Sequence, residues 1–152
     1  MQFTQSISYP GTVEEVVAMY LTPAYLERRF GQFVVDGSQA VSVEGQRVSF
    51  AGTVRPELIP AAAARFVKSD LRVSFTEEWA TNEAGATSRT SVTVDGAPVS
   101  VEATSTLAPV EAGSVRDVTG NVSVRVPLLG GRIEKEAVAH LGRVVEREQA
   151  LA

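Results

Sequence analysis

The chain predicts an α+β fold: a strongly curved antiparallel sheet of about seven strands gripping one long C-terminal helix. Three observations carry this reading. Apolar and polar residues alternate with period two through most of the stretch from Leu71 to Val126, the pattern of half-buried strands. Ile133, Ala137, Leu141, Val144 and Val145 then recur at helical spacing and form one apolar stripe. Near the start, Thr12-Val13-Glu14-Glu15 spells a capping box and Pro23 suits a first helical turn, so two short helices follow the first strand.

Taken in order, Phe3, Ile7 and Tyr9 alternate with Thr4, Ser6 and Ser8, a strand with one wet face, Gln5 falling on the apolar phase. Pro10-Gly11 ends it. Val13, Val16, Val17, Tyr20 and Leu21 give the first helix its apolar face, and Ala24 to Arg29 forms the second. Gln32 to Val43 reads as a strand made irregular by Gly37-Ser38, and Glu44-Gly45 turns the chain. Val48, Phe50, Gly52 and Val54 face one side of the next strand, which Pro56 stops. Glu57 to Lys68 reads as a crossing segment with a helical turn.

A meander follows. Leu71, Val73, Phe75, Glu77 and Trp79 share a phase; then Thr90, Val92 and Val94; then Val99, Val101, Ala103, Ser105 and Leu107; then Val118, Gly120, Val122, Val124 and Val126. Val115 is out of step with the last set, which predicts a bulge. Pro127 closes the strand, and Leu128-Leu129-Gly130-Gly131 leads into the helix, where Glu134 and Glu136 at the start and Arg147 near the end suit the dipole.

Composition narrows the function classes. Eighteen acids against 14 basic residues give a net charge of -4, which argues against nucleic acid as a partner, since that binding neutralises phosphates with basic residues. Without Cys there is no disulfide framework, thiolate metal site or cysteine nucleophile, and with one His a metal site would be mostly carboxylate. No cofactor or metal is expected. No apolar run is long enough to span a bilayer, and Met1 to Ser6 lacks the features of a signal peptide, so a cytoplasmic protein is expected. The 152 residues are expected to form a single domain. No nucleotide-binding loop, nucleophile elbow or metalloprotease motif is present.

The inward set is uneven in size. Phe50, Phe75 and Trp79 are bulky, whereas Ala103, Ser105, Gly120, Ala137 and Gly142 are small, which leaves room for a cavity between sheet and helix. Its expected wall is Phe50, Phe75, Val92, Val101, Ala103, Leu129, Ile133, Ala137 and Leu141, with Glu77, Trp79, Glu134 and His140 as its polar part. Each of these four has a plainer reading, that of Trp79 being an ordinary core aromatic. Glu77 can sit at a strand end or pair with an arginine, Glu134 can meet free N–H groups at the helix start, and His140 can rest at the helix edge.

Several phrases carry a family likeness: Ser8-Tyr9-Pro10, Thr22-Pro23-Ala24-Tyr25-Leu26, Ile59-Pro60, Glu77-Glu78-Trp79 and Val126-Pro127-Leu128-Leu129-Gly130-Gly131-Arg132-Ile133-Glu134. Over essentially its whole length the chain resembles a bacterial domain-of-unknown-function family of the START-like, helix-grip superfamily, also called the polyketide cyclase/dehydrase and lipid transport superfamily. The resemblance implies a helix-grip fold with a hydrophobic cavity and a lipid, polyketide or aromatic ligand. It supplies no shared catalytic residues. The leading expectation is a binding or carrier protein for a small apolar or amphipathic molecule. The alternatives are an acid–base enzyme of cyclase or dehydratase type using Glu77 and His140, and an interaction module with a filled core.

Overall fold

The computed structural model describes residues 1–59, 61–64, 70–125 and 130–151, with the side chains of 62, 63 and 142–151 outside the description. Seven strands form one antiparallel sheet: β1 (Gln2–Tyr9), β2 (Ala40–Glu44), β3 (Arg47–Thr53), β4 (Arg72–Asn82), β5 (Gly85–Asp95), β6 (Val99–Val110) and β7 (Gly113–Val124). Their spatial order is β1-β7-β6-β5-β4-β3-β2. Strands β2 to β7 are thus a continuous meander, and β1 returns to pair with β7 across the length of the chain. Helices α1 (Val13–Tyr20) and α2 (Pro23–Phe30) follow β1, α3 (Ala61–Ala64) lies in the crossing between β3 and β4, and α4 (Gly130–Leu151) ends the chain.

Local chemistry sets these boundaries. Thr12 Oγ1 accepts from the Glu15 amide at 3.2 Å while Glu15 accepts from the Thr12 amide at 3.1 Å, so the predicted capping box starts α1. The Thr12 amide first, and then the Thr12 hydroxyl, hold the Glu15 carboxyl below its ordinary range. Pro23 occupies the first turn of α2, where its missing N–H costs nothing. At the β6–β7 turn Gly113 has φ 145°, and a Cβ there would lie 2.1 Å from the Tyr9 carbonyl oxygen, so the turn needs glycine.

Two expectations are corrected. The strand predicted from Gln32 to Val43 is only Ala40–Glu44. Before it the chain makes a 3₁₀ turn at Gly31–Phe33 and a single bridge between Val34 and Val54. Gly37 at φ 81° breaks the strand, and Ser38 Oγ accepts from the Thr53 amide at 3.1 Å in place of a ladder bond. There is also no bulge at Val115, which pairs in register with Ser8 on one side and Ala108 on the other. Val115 simply points to the opposite face from Ser114 and Arg116, both buried. Val126 to Leu129, Pro60 and Arg65 to Ser69 lie outside the described residues, as do the surroundings of Gly142.

One face of the sheet carries three apolar clusters. At one end, α1 and α2 pack Val13, Val16, Val17, Tyr20 and Tyr25 against Ile7, Tyr9, Trp79, Ala86 and Leu107. Beside it, Leu26, Val34, Val48, Phe50 and Phe75 form a second cluster on the β3–β4 side. On the opposite side α4 packs against β1 and β7, joining Ile133 to Phe3, Val122 and Val124.

Candidate functional site

The register assigns the inward face row by row. Val48, Glu77, Thr90, Ala103, Gly120 and Phe3 lie in one row, and Phe50, Phe75, Val92, Val101 and Val122 in the next. The second and third clusters do not merge across these rows. Val92 packs with the β3–β4 cluster, whereas its direct partner Val101 packs with the α4 cluster, and both are only half-buried. Val73, Val94, Val99 and Ala103 are half-buried on the same face. An apolar trough therefore runs along the β5–β6 line, between α2 and Phe30 on one side and α4 on the other.

The small residues do not all contribute space to it. A Cβ on Gly120 would lie 2.6 Å from Phe3 Cζ, so the Phe3 ring fills that position. Ser105 is buried, accepting from Arg116 and sharing a hydrogen bond with Ser88. Ala103 and, on the helix, Ala137 remain half-buried beside the trough.

A buried polar cluster closes one end. Glu77 is 1 % exposed, and its partners take up both carboxylate oxygens. Oε1 accepts from Trp79 Nε1 at 3.0 Å and faces Arg29 Nη1 at 3.8 Å. Oε2 accepts from Thr90 Oγ1 at 2.8 Å and Arg116 Nη2 at 3.1 Å. Arg116 also donates through Nε to Ser105 at 3.0 Å and through Nη2 to Ser88 at 3.1 Å, while its guanidinium lies 4.7 Å and 4.8 Å from the ring centres of Tyr20 and Trp79. Arg29 lies against the rings of Tyr20, Phe30 and Phe75. Planar guanidinium suits this mixture of stacking and forked bonding in a way an ammonium would not. Burial pushes the Glu77 carboxyl up, but the Arg116 and Arg29 charges, with hydrogen bonds from Thr90 and Arg116, more than offset it and hold it below the ordinary range. Glu77 is thus a fixed anion at neutral pH.

The expected site residues separate into groups. Phe50, Phe75, Trp79 and Ile133 are buried core. Val92, Val101, Ala103, Ala137 and Leu141 are half-buried on or beside the trough. Glu134 ties the start of α4 to the sheet, its Oε2 accepting from the Val124 amide at 2.8 Å. His140 is exposed on α4, while Glu77 is sealed within the sheet, so the two do not converge on one cavity. Leu129 lies outside the described residues. Sequence reasoning missed Arg116 and Arg29, although both are charges placed in apolar phases of their elements.

A separate open cleft of about 690 Å³ lies at the end of the sheet among the β4–β5 turn, the β6–β7 turn and the start of α1. Pro10, Val13, Val110, Glu14, Glu83 and Glu111 are among the residues that line it, and none of the expected site residues does. No described helix is long and apolar enough to cross a membrane.

The antiparallel sheet with its terminal helix is a START-like fold. A START superfamily protein from Mycobacterium smegmatis superposes with a TM-score of 0.53 at 13% identity, covering 99% of this chain and 97% of that one. Protein CV1439 from Chromobacterium violaceum gives 0.58 at 15% identity, covering 99% and 95%. A conserved protein from Geobacillus kaustophilus gives 0.56 at 19%, covering 98% and 93%. The chain belongs to the family described as Protein of unknown function (DUF2505), whose profile matches residues 4–152. Uncharacterized proteins of Mycobacterium tuberculosis strain H37Rv and of Mycobacterium bovis are each 28% identical to it over 159 residues, covering 97% of this chain and 91% of theirs.

Proposed function

We propose that this protein binds and carries a small hydrophobic or amphipathic molecule in the trough between the sheet and α4, as a cytoplasmic carrier. The observation that carries this reading is the divided core: Val92 and Val101 face each other across β5 and β6, yet pack into different clusters and stay half-buried. Full burial of a valine side chain is worth roughly 1.5–3 kcal/mol. Val73, Val92, Val94, Val99 and Val101 leave part of that unrealised, and an apolar ligand laid along them recovers it. Such walls, with few polar groups, are typical of small-molecule sites. The acid–base alternative has lost its residue pair, because Glu77 is consumed by its neighbours and held ionised, while general acid–base work near neutral pH calls for a shifted, reachable group.

Ala103 borders the trough one row from Val101. Replacing it with tryptophan should fill the space and weaken uptake of a neutral fluorescent lipid at least about tenfold, with thermal unfolding little changed because the site is not tightly packed. Native mass spectrometry of the wild-type protein should find a bound apolar molecule, or uptake of an added one. A wild-type protein that is empty in both measurements, or an Ala103→Trp variant that binds as well as wild type, contradicts the proposal.

A further inference from the structure

Resting on the carrier reading, we infer that the trough prefers a neutral ligand whose polar end donates a hydrogen bond, such as an alcohol, over one ending in a carboxylate or ester. The reason lies in Thr90. Among the described inward-facing residues of β4 to β7 it is the one polar side chain left half-exposed, with Val92 and Ala103 beside it. A hydroxyl has one proton and two lone pairs. The Thr90 proton is given to Glu77 Oε2 at 2.8 Å. Glu77, an ionised carboxylate, accepts only, so it cannot return a proton and release that of Thr90.

Toward the trough, therefore, Thr90 offers lone pairs alone. A hydroxyl or amine on the ligand meets them as a donor. A carboxylate or ester brings more lone pairs, leaving both sides unsatisfied. The nearby cations do not rescue an acidic ligand. Arg116 is 2 % exposed and donates to Glu77, Ser88 and Ser105, and Arg29 is buried among aromatic rings and paired with Glu77. Gln5, another half-buried polar group on this face, lies on the edge strand β1 opposite Val118, away from the Thr90 row. Its amide both donates and accepts, so it does not discriminate.

The test uses the full chain, freed of co-purified lipid at pH 8, loaded with the neutral probe N-phenyl-1-naphthylamine. Decan-1-ol, methyl decanoate and decanoate are compared as displacers: one donor, one neutral acceptor and one charged acceptor on similar chains. An unmade hydrogen bond at a buried group implies a preference of about tenfold for the alcohol. Thr90→Val should abolish that advantage, leaving alcohol and ester equal, whereas Thr90→Ser, which keeps the hydroxyl, should retain it. Equal or tighter binding of the ester or the carboxylate to wild type overturns the inference while leaving the carrier reading intact. Failure of the probe and all three displacers to bind overturns both. An alcohol preference that survives in Thr90→Val places the selecting group elsewhere and also overturns it.

Discussion

Replacing Glu77 with glutamine is expected to lower folding stability by about 3–5 kcal/mol, the usual consequence of breaking a buried ion pair by removing one partner. Arg116 and Arg29 would keep their charges, 2 % and 8 % exposed, and lose the carboxylate they face. The amide would also turn an NH₂ group toward at least one of the donors Trp79, Thr90 and Arg116. For a chain of this length the loss corresponds to a fall in Tm of about 6–20 °C. Urea unfolding followed by tryptophan fluorescence suits the measurement, because Trp79 is the sole tryptophan and donates to Glu77 itself. A change under about 1 kcal/mol would mean that the cluster is solvated and not sealed.

The same cluster predicts the acid limb of stability. Glu77 has a folded value below the 4.5 of the unperturbed carboxyl. A depressed folded value stabilises fully above the unfolded one and is lost as pH falls through the folded one. The stability gap between wild type and Glu77→Gln should therefore be constant from neutral pH down to about 5, and narrow below about 4.5 as the unfolded and then the folded carboxyl protonates. Denaturant midpoints measured for both proteins between pH 3 and 7 isolate this term, since the other carboxylates are common to both. A gap that widens on acidification would mean that burial dominates and Glu77 is neutral in the fold.

Much of the architecture was legible because alternation and helical periodicity are local. The phase shared by Phe75, Glu77 and Trp79 placed all three on the inward face, and the structure has them there. The Thr12–Glu15 box likewise needed only neighbouring residues to be read. Arg116 was within reach of the same logic. Stepping back two residues at a time from Val118 lands on it, and a charge on an inward phase signals either an error of register or a buried pair. The presumed bulge at Val115 obscured that step. What the sequence could not display is convergence: Arg116 meets a carboxylate 39 positions earlier through the registers of four strands. Arg29 was hidden for another reason, since a basic residue in the last turn of a helix normally serves the helix dipole. Glu134, expected among the cavity's polar residues and more plainly readable as serving the N–H groups of its own helix, bonds to the Val124 amide of β7, a partner fixed only by the docking of α4. The size pattern was the least reliable guide. Gly120 and Ser105 looked like spare volume, yet one is covered by the Phe3 ring and the other is bonded within the arginine cluster.

What matters most is whether an apolar ligand lies along β5 and β6, beside α4. Methyl NMR of valine-labelled protein during a decan-1-ol titration addresses it most directly. Saturable shifts are expected at Val92, Val94 and Val101, with Val16 and Val17 in the packed cluster under α1 unmoved. Shifts confined to Val13 and Val110, around the open cleft at the end of the sheet, or no saturable shift at any valine, would contradict that placement.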